Sequence, residues 1–163
     1  ALEITHKTRK ELAKAPQPKQ VWKKFSEFVN KFNFKKTQWY APIPAGYNIN
    51  GFDLPIVQRM CEEHGPTNQK GKQSLFSAVY KIDIMDIVWF WMESNPDVKS
   101  ISLDNMRKYM EFPQESKDNA HDALQDVKDT ANMMIRFMKF HRSLSSKTKF
   151  DKAFADGDFH IDF

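Results

Sequence analysis

The sequence has little cysteine and little glycine, and each shortage excludes a class of protein. Cys61 is the only cysteine among 163 residues, which excludes an intramolecular disulfide framework and a cysteine-rich zinc site and favours a reducing compartment such as the cytoplasm. The five glycines form neither GxGxxG nor GxxxxGK, which excludes Rossmann and Walker-type phosphate loops. The longest apolar run, Ile87 to Met92, has six residues, too few to span a bilayer. We therefore expect no membrane partner.

Large apolar and aromatic side chains are abundant instead. The 14 phenylalanines and four tryptophans are too many for a disordered chain, and the length allows a buried core without disulfide or metal staples. The charge is uneven: residues 1–36 contain ten Lys/Arg and three acids, whereas the remaining residues contain 15 and 18. A basic segment attracts polyanions such as nucleic acid. Because its lysines alternate with apolar positions, the charge alone favours a solvated helix face over a polyanion site.

Apolar spacing and breaker residues predict an α/β order with few strands. Thr5 or Thr8 is the expected cap of the first helix, and Ser102 that of a later one. We expect helices over 5–14, 18–33, 53–63, 86–93, 103–112 and 120–143, and strands over 38–47 and 76–83. Two strands do not make a stable covered sheet, so the predicted strands are too few for the class.

The first group of residues that could perform chemistry is the stretch 46–55, with the pattern G-Y-N-x-x-x-F-D-x-P. Asp53 is predicted to lie between a strand and a helix, at the carboxyl edge of a sheet where α/β proteins place their sites. The alternative is structural, because aspartate is a favoured helix N-cap.

The second group is His121 to Asp126, with the pattern H-x-A-x-x-D, beginning 68 residues after Asp53. On one continuous helix the two side chains would point about 140° apart, so they converge only if His121 precedes the regular helix. The alternatives are a surface histidine at a helix start and a solvated aspartate that the helix dipole favours in the first turns.

In order, spacing and placement the two patterns together resemble the second and third motifs of the DnaQ-like (DEDDh) family of 3′→5′ exonucleases. The stretch from Ile4 to Phe28 also resembles the segment that precedes the second motif, so the resemblance covers about residues 4–140. It implies a ribonuclease H-like fold and hydrolysis of nucleic acid from the 3′ end, with single-stranded DNA as the expected substrate and RNA as the other candidate.

The resemblance also implies a site. In this family four acids hold two divalent metals about 4 Å apart; Asp53 and Asp126 match two of these acids. His121 matches the general base, a role that suits a side chain titrating near neutrality. Asn48 and Phe52 match positions near the bound 3′ end. Hard oxygen ligands favour Mg²⁺ or Mn²⁺.

The sequence departs from the family at the first motif, D-x-E, which is expected several dozen residues before residue 4. Residues 1–5 (ALEIT) match it only with the first acid replaced by alanine. We therefore expect residues 1–143 to be a partial exonuclease domain that lacks its N-terminal strands, followed by a tail over 144–163. The absence of an initiator methionine agrees with this, and we expect this chain to be inactive alone.

Two other functions stay open. The first is a non-catalytic relic of an exonuclease that binds nucleic acid or protein. The second is an unrelated α/β domain that matches the motifs by chance. The sequence upstream of Ala1 would separate the enzyme from the relic, because only the enzyme needs a D-x-E strand.

Overall fold

The computed structural model describes residues 8–113 and 123–145. Within these ranges a small parallel sheet is combined with helices, which is compatible with the predicted α/β class. The elements are α1 (Arg9–Lys14), α2 (Pro18–Asn30), a 3-10 turn (Gln38–Tyr40), β1 (Ala45–Gly46), α3 (Asp53–His64), β2 (Ile82–Asp83), α4 (Ile84–Met92), α5 (Leu103–Tyr109) and α6 (Ala123–Ser145).

Local side chains fix several helix ends where the sequence predicts them. Thr8 and Glu11 form a reciprocal capping box at the start of α1. At the start of α5 the Ser102 hydroxyl accepts a hydrogen bond from the backbone N–H of Asn105 (3.3 Å). Gly65 ends α3 with a φ of 76°, a left-handed conformation that glycine adopts without strain.

The predicted strands over 38–47 and 76–83 are much too long. Each contains only two strand residues, and the two strands pair in parallel with Ala45 opposite Ile82 and Gly46 opposite Asp83. The sheet is therefore smaller than the apolar patterns indicate.

Prolines explain why the pairing stops so early on the first segment. Pro42 and Pro44 have no N–H to donate to a neighbouring strand. Their carbonyls still accept hydrogen bonds from the N–H groups of Ser77 and Ile82, each at 2.9 Å. The two segments thus run side by side, but the first segment cannot donate at Pro42 or Pro44.

Several helix boundaries also differ from the prediction; α4, for example, begins at Ile84 rather than at residue 86. Helix α2 ends at Asn30 rather than at residue 33, and α5 ends at Tyr109 rather than at residue 112. Beyond α5, Glu111 has a φ of 53°, which no α-helix contains. Helix α6 continues to Ser145, two residues into the predicted tail; the rest of that tail lies outside the described residues.

Two apolar clusters hold the described elements together. The larger one joins α4, α5 and α6, and the smaller one joins α2 to α3 and the loop after it. The buried members of the larger cluster are Ile84, Val88, Met106, Phe112, Met133 and Phe137, and those of the smaller are Trp22, Val29, Cys61 and Leu75. In the smaller cluster the Trp22 indole N–H also donates to the Gly65 carbonyl at 2.6 Å, so the indole ring is buried without an unpaired donor.

Gly46 is required by packing, because a Cβ there would collide with Cγ2 of Ile49. Ile49 is only 4% exposed and has little room to move. We expect Gly46→Ala to lower the free energy of unfolding by about 1–3 kcal/mol through overpacking, measured by urea denaturation followed by circular dichroism. In an Ile49→Ala background, which removes the colliding methyl, the same change should cost clearly less; an equal cost in both backgrounds would exclude this contact as the cause.

Among the described residues, no helix combines the length and the apolar character that a membrane crossing requires.

Candidate active site

One buried carboxylate holds the loop that follows β1. Asp83, at the end of β2, is 6% exposed. Its oxygens accept hydrogen bonds from the backbone N–H groups of Asn48 (2.8 Å), Asn50 (3.1 Å) and Met85 (3.2 Å). Asp83 is also the N-cap of α4. A single side chain therefore ties the motif loop to the strand and helix beside it.

The motif loop itself is a tight turn. Asn48 has a φ of 58°, in the left-handed region that asparagine tolerates better than most residues. The N–H of Phe52 bonds back to the Asn48 carbonyl (3.1 Å), and the N–H of Leu54 bonds to the Ile49 carbonyl (2.9 Å). The Asn48 and Phe52 side chains remain exposed, with 64% of Phe52 open to solvent. The turn thus presents both residues outwards.

Asp53 is the first residue of α3, and the interpretation that it caps this helix is wrong. The N-cap position is Phe52, which makes no side-chain capping bond; Asp83, on the next strand, caps α4 and not α3. Partial burial raises the pKa of the Asp53 carboxyl, and the charge of Asp83 raises it further. A cation bound beside Asp53 would oppose both effects, because opposite charge favours the ionised form.

Tyr47 connects the motif loop to the larger apolar cluster. Its hydroxyl donates to the Ile101 carbonyl, and its ring packs on the cluster formed by α4, α5 and α6. Burial, followed by the charge of Asp83, raises the pKa of Tyr47 to about 12. The phenol is therefore a neutral donor at physiological pH. Helix α6, which contains Asp126, packs against β1 in the same region.

Asp126 is bound by an arginine from another helix. Arg107 on α5 donates to Asp126 (2.5 Å), Asp129 (2.6 Å) and Asp104 (2.8 Å). The Arg107 side chain is 19% exposed, Asp126 40% and Asp129 12%. Burial by itself would lower the pKa of Arg107, but the bonds to Asp126, Asp129 and Asp104 outweigh it and raise the pKa. Asp126 does lie in the first turn of α6 and is partly exposed, as the structural alternative has it, but it is also paired with Arg107.

The described residues do not assemble a complete metal site. Asp53 and Asp126 have the carboxylate oxygens that Mg²⁺ and Mn²⁺ prefer. No group of three or more His, Cys, Asp or Glu side chains within 8–113 and 123–145 is arranged to hold a metal ion, and Asp126 is occupied by Arg107. His121 lies outside the described residues.

Sequence reasoning missed Asp83 and Arg107. Asp83 had a local signal, because an acid that ends a strand directly before an apolar helix is a natural N-cap. Arg107 had none, since its partners Asp126 and Asp129 follow 19 and 22 residues later and nothing in the intervening pattern links them.

The arrangement defines an α/β protein with acids at the carboxyl ends of two paired parallel strands: Asp83 ends β2, and Asp53 follows the turn after β1. A family model described as Exonuclease matches residues 1–134, and the chain belongs to this exonuclease family. The match confirms the resemblance to the DnaQ-like family that the two motifs indicated. Neither the curated proteins nor the solved structures include a match to the chain.

Family membership makes the chain a nuclease-type hydrolase domain whose substrate is nucleic acid. It also associates the chain with divalent metal ions, which the family generally uses. The interpretation of the motifs as a chance match in an unrelated domain is wrong.

Proposed function

We propose that the protein is a metal-dependent exonuclease that removes nucleotides from the 3′ end of DNA. The observation that carries the proposal is the folding of the G-Y-N-x-x-x-F-D-x-P stretch, within the matched residues 1–134. The stretch forms a turn anchored on Asp83 and leads into α3 with Asp53 in its first turn. Exposed motif residues on an anchored turn at a strand end are what a catalytic loop requires.

The roles follow the family motifs. Asp53 and Asp126 are proposed metal ligands for Mg²⁺ or Mn²⁺, in a two-metal hydrolysis with His121 as the general base. Phe52 and Asn48 are proposed to contact the 3′ end. The exposed Phe52 ring suits stacking on a terminal base, and the exposed Asn48 amide offers both donors and an acceptor.

The complete site needs more carboxylates than Asp53 and Asp126. We propose that two further acids, in a D-x-E motif on an additional strand, complete both the metal site and the sheet. A parallel sheet of two strands with two residues each is too small to be stable alone. An added strand beside β1 and β2 would produce a ribonuclease H-like arrangement with its acids near Asp53.

The direct test compares two labels on single-stranded DNA. With Mn²⁺, the full-length protein should shorten 5′-labelled DNA to a ladder and release labelled mononucleotide at once from 3′-labelled DNA. Asp53→Asn and Asp126→Asn should abolish both signals, because a neutral amide binds a divalent cation poorly. Asp104→Asn is the matched control: Asp104 also contacts Arg107 but is 60% exposed, and its loss should leave activity intact.

The opposite label pattern would show that the enzyme works from the 5′ end. Equal activity in all three variants would show that Asp53 and Asp126 are not metal ligands. Replacing the DNA with RNA of the same sequence decides the preferred sugar.

The second candidate function is a relic that binds nucleic acid without cleaving it. The ion pair between Arg107 and Asp126 favours it, because a guanidinium at 2.5 Å already neutralises the acid that a metal would need. This function predicts stable complexes with labelled DNA and no shortening at any Mn²⁺ concentration.

A further inference from the structure

We propose that residues 28–40 form a surface for single-stranded nucleic acid, here named the aromatic–lysine segment, outside the motif residues. The inference rests on the proposed function only in its ligand class, nucleic acid. It adds a second region that binds the single-stranded nucleic acid, away from the acids of the proposed cleavage site.

The segment exposes an unusual concentration of aromatic rings. Phe34 and Trp39 are 86% and 87% exposed, and Phe28, Phe32 and Tyr40 are each more than half exposed. These rings account for five of 13 consecutive residues. Isolated exposed rings are ordinary, whereas several exposed rings within one short segment favour a binding surface.

The rings are exposed although the helix that precedes them is packed into the core. Helix α2 buries Trp22 and Val29 in the smaller apolar cluster. Phe28 and Phe32, four residues apart, lie together in an edge-to-face pair with centroids 5.3 Å apart and remain exposed. The last turn of α2 therefore faces the core through Val29, while Phe28 on the helix and Phe32 just beyond its end form a separate aromatic face in solvent.

The positive charge of the segment favours nucleic acid over an apolar protein as the partner. Lys31, Lys35 and Lys36 are exposed between the rings, and no acid occurs between Glu27 and Asp53. An apolar protein partner would have to remove water from three lysines that have no acid within their own segment, at a cost in free energy. A single strand supplies phosphates for the lysines and bases for the rings.

Contacts within the segment hold the turn between the rings. The Asn33 side-chain amide donates to the Thr37 carbonyl (3.0 Å), and Lys36 holds a φ of 50°. Lys35 lies 4.0 Å from the Tyr40 ring centroid and donates to its hydroxyl at 2.8 Å. These contacts reduce the ordering cost of binding, which favours affinity.

The first test is fluorescence anisotropy of a 5′-fluorescein oligothymidylate in EDTA, so that binding is measured without hydrolysis. Trp39→Ala should weaken binding by about tenfold, the effect of losing one base–aromatic stack. Trp89→Ala is the matched control: Trp89 is 57% exposed on α4, where Asp86 and Glu93 share its helix face. It should change affinity less than twofold. Equal affinities for both variants would overturn the inference.

The second test is the salt dependence of the same binding. Replacing Lys31, Lys35 and Lys36 by glutamine should reduce the slope of log affinity against log salt by about two, since each phosphate contact on a single strand contributes about 0.7. The matched control replaces three exposed lysines elsewhere, Lys70, Lys72 and Lys81, and should leave most of the slope. An equal reduction in both triple variants would mean that net charge alone binds the strand, which overturns the proposed surface.

The two proposals fail separately. If Mn²⁺ supports 3′ shortening but Trp39→Ala binds like the unmodified protein, the proposed function stands and the aromatic–lysine segment is not the binding surface. If Trp39→Ala loses affinity while no DNA is ever shortened, the surface stands and the exonuclease function does not.

Discussion

Asp83→Ala is expected to lower the free energy of unfolding by roughly 4 kcal/mol, because three backbone N–H groups lose a charged acceptor at once and each such bond contributes about 1.5–3 kcal/mol. Some of the donors will find water after the change, so the sum is not reached in full. Asp83 is 6% exposed and bonds to Asn48, Asn50 and Met85. The loss should appear as a lower midpoint in urea denaturation followed by circular dichroism.

Asp86→Ala is the matched control for this loss. Asp86 lies one helical turn away, is exposed, and accepts one long bond of 3.4 Å from the Asn50 side chain. We expect a change within about 0.5 kcal/mol, as for ordinary surface positions. Asp83→Asn should fall between the two, since its oxygen still accepts but its amide hydrogens face other donors. Similar midpoints for the alanine variants would show that the three bonds at Asp83 contribute little.

The helices could be predicted from the sequence because their signals are local. The Thr8 and Ser102 caps and the terminal Gly65 each act within a few residues of the element that they bound. The strands could not, because pairing depends on a partner more than 30 residues away. The prolines at 42 and 44 indicated an edge or irregular strand over 38–47, but no local pattern in 38–47 or 76–83 showed that only two residues on each side would pair.

The candidate site, too, has one part that the sequence predicts and one part that it does not. Asp53 and Asp126 were identified because their motifs are short and their order matches the family. The contacts that place these acids are long-range: Asp83 reaches back 35 residues to Asn48, and Arg107 reaches forward 19 residues to Asp126. Such contacts exist only after the helices have packed, so no local pattern reports them. The predicted role of His121 stays a prediction, since that residue lies outside the described ranges.

Arg107→Leu is expected to lower the free energy of unfolding by about 3 kcal/mol, because removing the cation leaves acids without compensation in a partly buried place. Asp129, with 12% of its side chain exposed, is the acid most affected, although the Gln125 amide still donates to it at 2.9 Å. Arg107→Lys should restore only part of the loss, since an ammonium cannot reproduce the planar donors that contact Asp104, Asp126 and Asp129 together. Asp104→Asn, at an exposed position, should cost about 0.5 kcal/mol or less.

The same variant measures whether Arg107 and a divalent cation compete for Asp126. If Asp126 is a metal ligand, Mn²⁺ should raise the melting temperature of Arg107→Leu more than that of the unmodified protein, since the ion no longer has to displace a guanidinium held at 2.5 Å. The double variant Arg107→Leu with Asp126→Asn should lose this extra response. An equal Mn²⁺ response in all three proteins would mean that Asp126 is structural and that its only cation is Arg107. A larger response in the single variant would make Arg107 the group that holds the acid in place until a metal replaces it.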